Sequence, residues 1–364
     1  MKHIKNNALL ISVIILSLFG ILMIYSSSYI WAEYKYNNPY KYVIAQGIFF
    51  IIGLLLILFL RNIDYHKYYK YSNKIILICA ILLVLVLIPG IGKLRNGSRS
   101  WFGIGSFGIQ PSEFLKIGLT IFVSKYLTNN EKDIKDIKKS IFPILLIIIF
   151  FFILIMLEPD FGQAMVIVIS LILLIFISGT KLSFFVKCGM LGLFGIVCLI
   201  IVAPYRMARI ISYLNPWTDP LGSGFQIIQS LYAIGPSGLL GKGLFNSIQK
   251  HFYLPEPQTD FIFAIISEEL GFLGVLIVTL LFIYIFYKSI KISLSSKDLF
   301  GKYLSFGLSC QILIQAVLNL SVVTGLIPVT GVTLPFISYG GSSLLVSMIS
   351  IGIILNIEKN NKQM

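Results

Sequence analysis

The sequence predicts an all-α polytopic membrane protein, and three observations support this fold class. Apolar residues make up 57% of the 364 residues, whereas charged residues make up only 12%. A soluble domain usually carries about 25% charged residues, and the mean hydropathy here is +0.90. The apolar residues fall into runs of the length that crosses a bilayer as a helix. Helices satisfy their own backbone hydrogen bonds there, so the runs predict transmembrane helices.

The apolar runs predict about ten transmembrane helices in a single integral membrane domain covering residues 1–364. The predicted spans are residues 8–29, 42–60, 74–90, 111–127, 141–157, 163–179, 184–203, 261–287, 302–322 and 342–357. The fourth and tenth contain the most polar and small residues. A large loop, about residues 204–260, separates the seventh span from the eighth and is rich in charge, Pro, Gly and aromatic residues.

The distribution of basic residues predicts the orientation. If the N-terminus is cytoplasmic, the cytoplasmic side holds 19 of the 29 basic residues. Cytoplasmic loops of membrane proteins carry such an excess of Lys and Arg. We therefore expect a multi-pass protein of the cytoplasmic membrane with both termini in the cytoplasm. The large loop then faces outward, where ATP and nucleotide sugars are not available.

Several function classes do not fit the sequence. The net charge of +14 is spread over short clusters between the apolar runs, which does not favour nucleic-acid binding. The four cysteines lack CxxC pairing and the three histidines are scattered, so neither disulfides nor a zinc site are predicted. Gly103, Gly105 and Gly108 match G-x-G-x-x-G, but no βαβ unit is predicted around them, so a dinucleotide site is not indicated.

Two short motifs place ionisable groups at the outer ends of spans. Glu113 and Lys116, three residues apart, share one helix face, where they can form an ion pair or serve a functional site. Glu158 and Asp160 flank Pro159 in a short outward turn. Asp160 could cap the next helix or pair with an inward-facing basic residue. Both motifs are therefore candidates for a functional site, although an ion pair or a helix cap would also explain these residues.

The large loop contains the strongest candidates for chemistry. Arg206 and Arg209 are three residues apart and could present two guanidinium groups to a lipid diphosphate, or anchor the helix end at the interface. Asp260 precedes the apolar run of span eight, where it could cap that helix or act at the outer water boundary. Glu268 and Glu269 lie deeper, and we expect at least one to support the loop through Lys or Arg contacts.

Motifs along nearly the whole chain resemble the SEDS proteins (shape, elongation, division and sporulation; the FtsW/RodA/SpoVE family). These motifs are QPSEFLK at 110–116, EPDFG at 158–162, NPWTDPLGSGFQIIQSLYAIG at 215–235, PEPQTDFIFAIISEELG at 255–271 and PFISYGGSS at 335–343. The loop resembles the division and sporulation branch more than the elongation branch. The resemblance implies ten helices and an outward catalytic cavity in a peptidoglycan glycosyltransferase that polymerises lipid II. It also implies a class B penicillin-binding transpeptidase as partner.

The resemblance assigns roles to particular residues. The family's essential aspartate falls on Asp260, and its other functionally sensitive carboxylate and lysine positions fall on Glu113, Lys116 and Asp160. We hypothesise that Asp260 is the general base on the acceptor sugar hydroxyl. Arg206, Arg209 and Lys116, with or without a divalent cation such as Mg or Mn, are the candidates for neutralising the leaving diphosphate. No cofactor is otherwise predicted.

Two other functions are compatible with a ten-span protein that carries polar groups at depth. One is a lipid II flippase, which would need a polar pathway through the full thickness of the membrane. The other is a non-catalytic scaffold for a transpeptidase. The charged residues cluster on the outer half of the predicted spans, with little beyond Gln311, Gln315 and Asn319 elsewhere, so the glycosyltransferase is the favoured prediction.

Overall fold

The structure is a computed structural model that describes residues 7–95, 97–104, 107–202, 207, 211 and 213–363. Its helices are α1 Ala8–Tyr36, α2 Lys41–Leu60, α3 His66–Leu87, α4 Pro111–Asn129, α5 Phe142–Leu157, α6 Phe161–Ile177, α7 Leu182–Val202, α8 Phe225–Ile234, α9 Ile262–Leu294, α10 Leu299–Val323 and α11 Gly341–Gln363. Short helical turns lie at Glu131–Asp133, Ile137–Ile141, Pro216–Thr218 and Gly235–Ser237.

The predicted helical membrane fold is confirmed, and a helix occupies each of the ten predicted spans. In the described part of the chain, seven helices are long and apolar enough to cross a membrane. The helices α4, α6 and α7 are more polar or shorter over their described residues, so the count of ten remains a prediction. The largest shift in a boundary is at α3, which begins at His66 rather than residue 74. Its first turns are rich in Tyr and Lys, which suit a helix end near the interface.

The connections between helices collect at two opposite ends of the bundle. Segments 37–40, 88–95, 97–104, 107–110, 158–160, 213–261 and 324–340 form what we call the loop-rich end. Segments 61–65, 130–141, 178–181 and 295–298 form the opposite end. Contacts support this sorting, since Gln110 Nε2 donates to Asp160 Oδ2 over 2.6 Å at the first end. At the other end, Tyr65 N donates to Asn356 Oδ1 over 3.0 Å.

A small antiparallel sheet at the loop-rich end was not predicted. It consists of β1 Lys93–Arg95, β2 Ser98–Ile104 and β3 Phe107–Ile109, in the order β1-β2-β3. Gly103 pairs with Gly108 across β2 and β3, so two glycines of the G-x-G-x-x-G pattern belong to a hairpin. Strands this short, and this rich in Gly and Ser, give almost no periodic signal.

Two apolar clusters fill the bundle. One joins α1, α2, α9, α10 and α11, and the other joins α3, α4, α5 and α6. A close approach at Gly20 brings segment 324–340 against α1, since a Cβ there would lie 2.6 Å from the Phe336 carbonyl oxygen. Segment 324–340 is therefore packed into the bundle, where it can hold residues of the loop-rich end in place.

Helix α9 is broken at Gly271, where φ is 64° and ψ is −161°. A break in a helix leaves backbone groups without their usual partners. Segment 238–243 supplies the missing partners through four backbone hydrogen bonds. These are Lys242 N to Glu268 O (2.9 Å), Gly243 N to Glu269 O (2.9 Å), Phe272 N to Gly238 O (2.9 Å) and Leu273 N to Leu239 O (3.1 Å). The large loop thus fixes the first part of α9, residues 262–270.

Candidate functional site

The turn that carries Asp260 is held by buried polar groups at the loop-rich end. Phe261 occupies the N-cap position of α9, so Asp260 lies one residue before it rather than at the cap. Asn319 on α10 is fully buried, and its Nδ2 donates to the Asp260 and Val332 carbonyl oxygens, each over 2.7 Å. Ser338 Oγ donates to the Thr259 carbonyl oxygen over 2.6 Å. The Asp260 side chain itself is only partly buried.

Asp160 caps α6, which was one of the two roles that the sequence allowed for it; the other was pairing with a basic residue. Its Oδ1 accepts the Gln163 backbone N–H over 3.1 Å, and its Oδ2 accepts from Gln110 Nε2 over 2.6 Å. Burial raises the pKa of Asp160 to about 6, although the Gln163 N–H opposes this rise. A carboxyl poised near neutral pH therefore lies at the start of α6.

Glu113 and Lys116 form the ion pair that their spacing predicted. Lys116 Nζ lies 2.6 Å from Glu113 Oε2, and each side chain is only 2% exposed. Gln163 donates its side-chain amide to Glu113, which links this pair to the cap of α6. Lys116 Nζ also donates to Gln315 Oε1 over 2.6 Å. In this arrangement, Lys116 faces protein partners, so direct contact with a ligand would require the pair to open.

One short segment lies beside both aspartates. A Cβ added to Gly162, at the start of α6, would lie 2.6 Å from the Thr330 carbonyl oxygen. A Cβ added to Gly331 would lie 4.0 Å from Asp260 Oδ2. Segment 330–332 therefore borders the α6 cap on one side and the Asp260 carboxylate on the other. Two groups that are far apart in the sequence are thus brought to the same short segment.

Glu158, two residues before Asp160, has a different environment. It is fully buried, and neither of its carboxyl oxygens has a hydrogen-bond partner among the described residues. Burial raises the pKa of Glu158 to about 9, and the negative charge of Asp160 adds to the rise. Glu158 is therefore protonated at neutral pH, and the site carries one negative charge fewer than its sequence indicates.

Glu268 and Glu269 both support the loop, which confirms the expectation for at least one of them. Glu269 Oε1 lies 2.9 Å from Lys250 Nζ, and both side chains are completely buried. Glu268 Oε1 lies 2.7 Å from Lys242 Nζ and accepts the Ile248 backbone N–H over 3.0 Å. Removing one partner of a fully buried pair such as Lys250–Glu269 typically costs about 3–5 kcal/mol. These contacts fasten segment 242–250 to the first part of α9.

No role was predicted for the amides that organise the site. Gln311, Gln315 and Asn319 follow one another at intervals of four, so they share one face of α10. Gln315 Nε2 donates to Ser343 Oγ over 2.9 Å, and Asn319 holds the Asp260 turn. Their spacing was the available signal, since a row of amides on one face of an apolar helix needs buried partners.

The structure does not place two of the predicted diphosphate-binding groups, the arginine pair and a divalent cation. Arg206 and Arg209 lie outside the described residues. Among the residues that the structure describes, no group of three or more His, Cys, Asp or Glu side chains could hold a metal ion. A divalent cation would then take most of its ligands from substrate oxygens and water, as Mg²⁺ commonly does.

The fold and this site define a class: a multi-pass helical membrane protein with a buried polar network at one end of its bundle. The family described as cell cycle protein, FtsW/RodA/SpoVE, matches residues 6–363. The chain belongs to this family.

Relatives and solved structures are similar over nearly the full length. The stage V sporulation protein E of Bacillus subtilis (strain 168) is 49% identical over 97% of both chains. A probable peptidoglycan glycosyltransferase FtsW of Geobacter sp. (strain M18) is 37% identical, over 96% of this chain and 95% of the relative. A chain from a peptidoglycan synthase complex, described as coordinating polymerization and crosslinking, superposes with a TM-score of 0.78 at 28% identity, over 98% of both chains. Thermus thermophilus RodA shares the fold, with a TM-score of 0.73 at 24% identity and 98% coverage of both chains.

Proposed function

We propose that this protein is a peptidoglycan glycosyltransferase that polymerises lipid II into β-1,4-linked glycan strands for a septum, spore cortex or cell wall. The observation that carries the proposal is the placement of Asp260. Its backbone is fixed by a hydrogen bond from Asn319, while its side chain is partly exposed to solvent at the loop-rich end. The relatives named as probable peptidoglycan glycosyltransferases support the reaction class.

In the proposed reaction, Asp260 takes the proton from the 4-hydroxyl of the acceptor GlcNAc. The freed oxygen attacks the anomeric carbon of the donor MurNAc, forming the new C–O bond as the bond to the undecaprenyl diphosphate breaks. Attack opposite the leaving group inverts the α-linked donor to a β-linkage. One carboxylate suffices because diphosphate leaves without a strong acid when cations neutralise it.

Several positive groups could neutralise that leaving group. Arg206 and Arg209 belong to the large loop, and a divalent cation, if a carboxylate of the site held it, would supply further positive charge there. Lys116 is held by Glu113 and Gln315, so we assign it a different role from direct binding. It offsets the negative charge of Glu113 beside Asp160 and keeps the network in one arrangement.

The reaction belongs on the outer face of the cytoplasmic membrane, with both termini in the cytoplasm. Lipid II carries its own activated sugar, so no nucleotide is needed on that side. A class B penicillin-binding transpeptidase is the proposed partner, which would cross-link the strands as they form. The similarity to a chain from a synthase complex that couples polymerization to crosslinking supports this partnership.

The test is polymerisation of lipid II by purified protein with its transpeptidase, analysed on gels. We expect Asp260→Asn to lower the polymerisation rate by at least about 100-fold, since a general base contributes about 10²–10⁴-fold. Asp64→Asn, a change at an exposed carboxylate of the opposite end, is the matched control and should polymerise normally. Near-normal strands from folded Asp260→Asn protein would reject the assignment.

The same assay separates the alternatives, because lipid II supplied in detergent has no bilayer to cross. A glycosyltransferase makes strands under these conditions, whereas a flippase or a scaffold leaves lipid II unchanged. The Glu113, Lys116, Gln311 and Gln315 side chains bond to one another or to backbone within the bundle. This closed network gives no specific support to a lipid pathway.

A further inference from the structure

A run of aromatic rings covers the outer end of α1 and the adjoining part of the large loop. We call it the aromatic patch: Trp31, Tyr34, Tyr36, Tyr42 and Phe252. The Phe252 ring centroid lies 5.6 Å from that of Trp31 and 5.3 Å from that of Tyr34, with both pairs edge to face. Tyr36 and Tyr42 form a second edge-to-face pair at 6.1 Å. Tyr34 is 76% exposed and Phe252 is 50% exposed, so much of this ring surface is uncovered.

The backbone is strained to place one of these rings. Phe252 has a φ of 66°, a strained conformation that bulky residues rarely adopt. The strain is offset two residues away, where Lys250 is anchored by its buried pair with Glu269. Phe245, at the other side of this anchor, has the same φ and places its ring 5.8 Å from that of Tyr25. A simple interfacial anchor needs no such backbone, whereas ligand-binding surfaces often do.

Lysines accompany the rings. Lys35 Nζ lies 5.4 Å from the Trp31 ring centroid and 5.7 Å from that of Tyr36, so it joins the two aromatic pairs. Lys41 Nζ lies 2.9 Å from the Tyr36 ring centroid. Exposed aromatic faces with interleaved ammonium groups suit a ligand that has apolar ring faces and negative charges.

The patch is continuous with the candidate site. The Tyr42 ring contacts that of Tyr339 at 4.9 Å, edge to face. The Tyr339 backbone N–H donates to the Gln258 carbonyl oxygen over 2.8 Å, two residues before Asp260. An extended ligand that leaves Asp260 would therefore meet Tyr42 and Tyr36 first, and then Trp31, Tyr34 and Phe252.

We propose that the aromatic patch binds the nascent glycan strand as it leaves the site, an inference that rests on the proposed function. The apolar C–H faces of β-linked sugars stack on aromatic rings, and their hydroxyls remain in water. The carboxylates of the peptide stems complement Lys35 and Lys41. Because the patch retains the product beside Asp260, it sets how many sugars are added before a strand is released.

Strand binding can be measured apart from catalysis, with Trp31 as the reporter. The chain has three tryptophans, so Trp101→Phe and Trp217→Phe leave one fluorophore, and Asp260→Asn prevents turnover. The full chain in nanodiscs is titrated with soluble, lipid-free GlcNAc–MurNAc-peptide strands. We expect saturable changes in Trp31 emission. Tyr34→Ala with Phe252→Ala should raise the Kd at least about tenfold, as truncation of aromatic anchors typically does.

Product length is the second readout, in the active protein with its transpeptidase. We expect strands made by the Tyr34→Ala/Phe252→Ala protein to be severalfold shorter than those of the unaltered chain. The matched control is Tyr71→Ala, since Tyr71 is 44% exposed at the opposite end and also has lysines near its ring. This control should change neither strand length nor Kd.

Three results would overturn the proposal. One is the absence of any effect of strands on Trp31, with emission quenched instead by phosphatidylglycerol carrying brominated acyl chains, which would make the patch a lipid anchor. Another is loss of transpeptidase co-purification in the patch variant with unchanged strand binding, which would make it a protein interface. The third is unchanged strand length and Kd in the folded patch variant. If the unaltered chain makes no strands at all, the proposed function fails separately, because the Trp31 titration needs no turnover.

Discussion

At the scale of single residues, three carboxyl groups of the loop-rich end have different surroundings. Asp260 is partly open, with its backbone fixed. Asp160 accepts two hydrogen bonds, and burial still raises its pKa to about 6. Glu158 is buried without a partner among the described residues. Such divergence is typical of sites where acid and base roles are separated.

The Glu158 environment predicts a dependence of stability on pH. Its carboxyl loses a proton near its ordinary pKa of 4.5 in the unfolded chain, and at about 9 in the folded chain. The folded state therefore holds the extra proton between these values. Stability should fall as pH rises through this window, by about 1.4 kcal/mol per pH unit for this group.

Replacing Glu158 by Gln removes the titration while keeping the shape, so thermal unfolding in detergent at pH 6 and pH 8 checks the prediction. We expect Glu158→Gln to be more stable than the unaltered chain, and by a larger margin at pH 8. Glu131→Gln, a change at an exposed carboxylate of the opposite end, should show no such trend. A margin that shrinks as pH rises would contradict the buried, protonated state of Glu158.

At the scale of elements, the break in α9 allows backbone groups of the helix and of the large loop to hydrogen-bond to one another. Helix α9 gives up hydrogen bonds at Gly271, and segment 238–243 satisfies the exposed groups. The Lys242–Glu268 pair and the fully buried Lys250–Glu269 pair add side-chain anchors at the same place. The short piece 262–270 is thereby held from both sides, and Asp260 lies just before its N-cap residue, Phe261.

This arrangement requires glycine at 271. A Cβ there would collide with the Gly241 backbone N and lie 2.6 Å from the Leu239 carbonyl carbon, and its φ of 64° is unfavourable for other residues. We expect Gly271→Ala to cost about 1–3 kcal/mol from backbone strain alone, measured as a lower unfolding midpoint in detergent, and to lower polymerisation as well.

The control for this change is Gly47→Ala in α2, where an added Cβ meets nothing within 4 Å. Alanine in a helix interior is favoured over glycine by roughly 0.5–1 kcal/mol, so this variant should be as stable as the unaltered chain or slightly more so. Equal unfolding midpoints for Gly271→Ala and Gly47→Ala would mean that segment 238–243 can move away from α9 at little cost.

At the scale of the whole molecule, the segregation of loops into two ends predicts which residues share a side of the membrane. The distribution of basic residues predicts that the loop-rich end faces outward. In a chain without its four native cysteines, Thr218→Cys should react with a membrane-impermeant maleimide in intact cells. Lys132→Cys, at an exposed position of the opposite end, should react only after permeabilisation. The reverse pattern would put Asp260 in the cytoplasm and remove the proposed site from its substrate.

The sequence predicted the helical membrane class, a helix at each of the ten spans, the Glu113–Lys116 pair and the supporting role of Glu268 and Glu269. It did so because apolar run length and helical spacing are local properties. It missed the sheet at 93–109, whose pairing lies in short Gly- and Ser-containing strands. It also treated Gln311, Gln315 and Asn319 as minor, because an amide shows its importance only when its buried partner is known.

By itself the sequence determined that the chain is a helical membrane protein, which of its apolar segments are helices, and the five motifs that resemble one family. Only the tertiary structure decided that segment 330–332 borders both Asp160 and Asp260, that Lys116 is enclosed by protein partners, and that Glu158 has none among the described residues. The reason is that hydrogen bonds and desolvation between residues far apart in sequence depend on how the helices pack, and no local pattern encodes that packing.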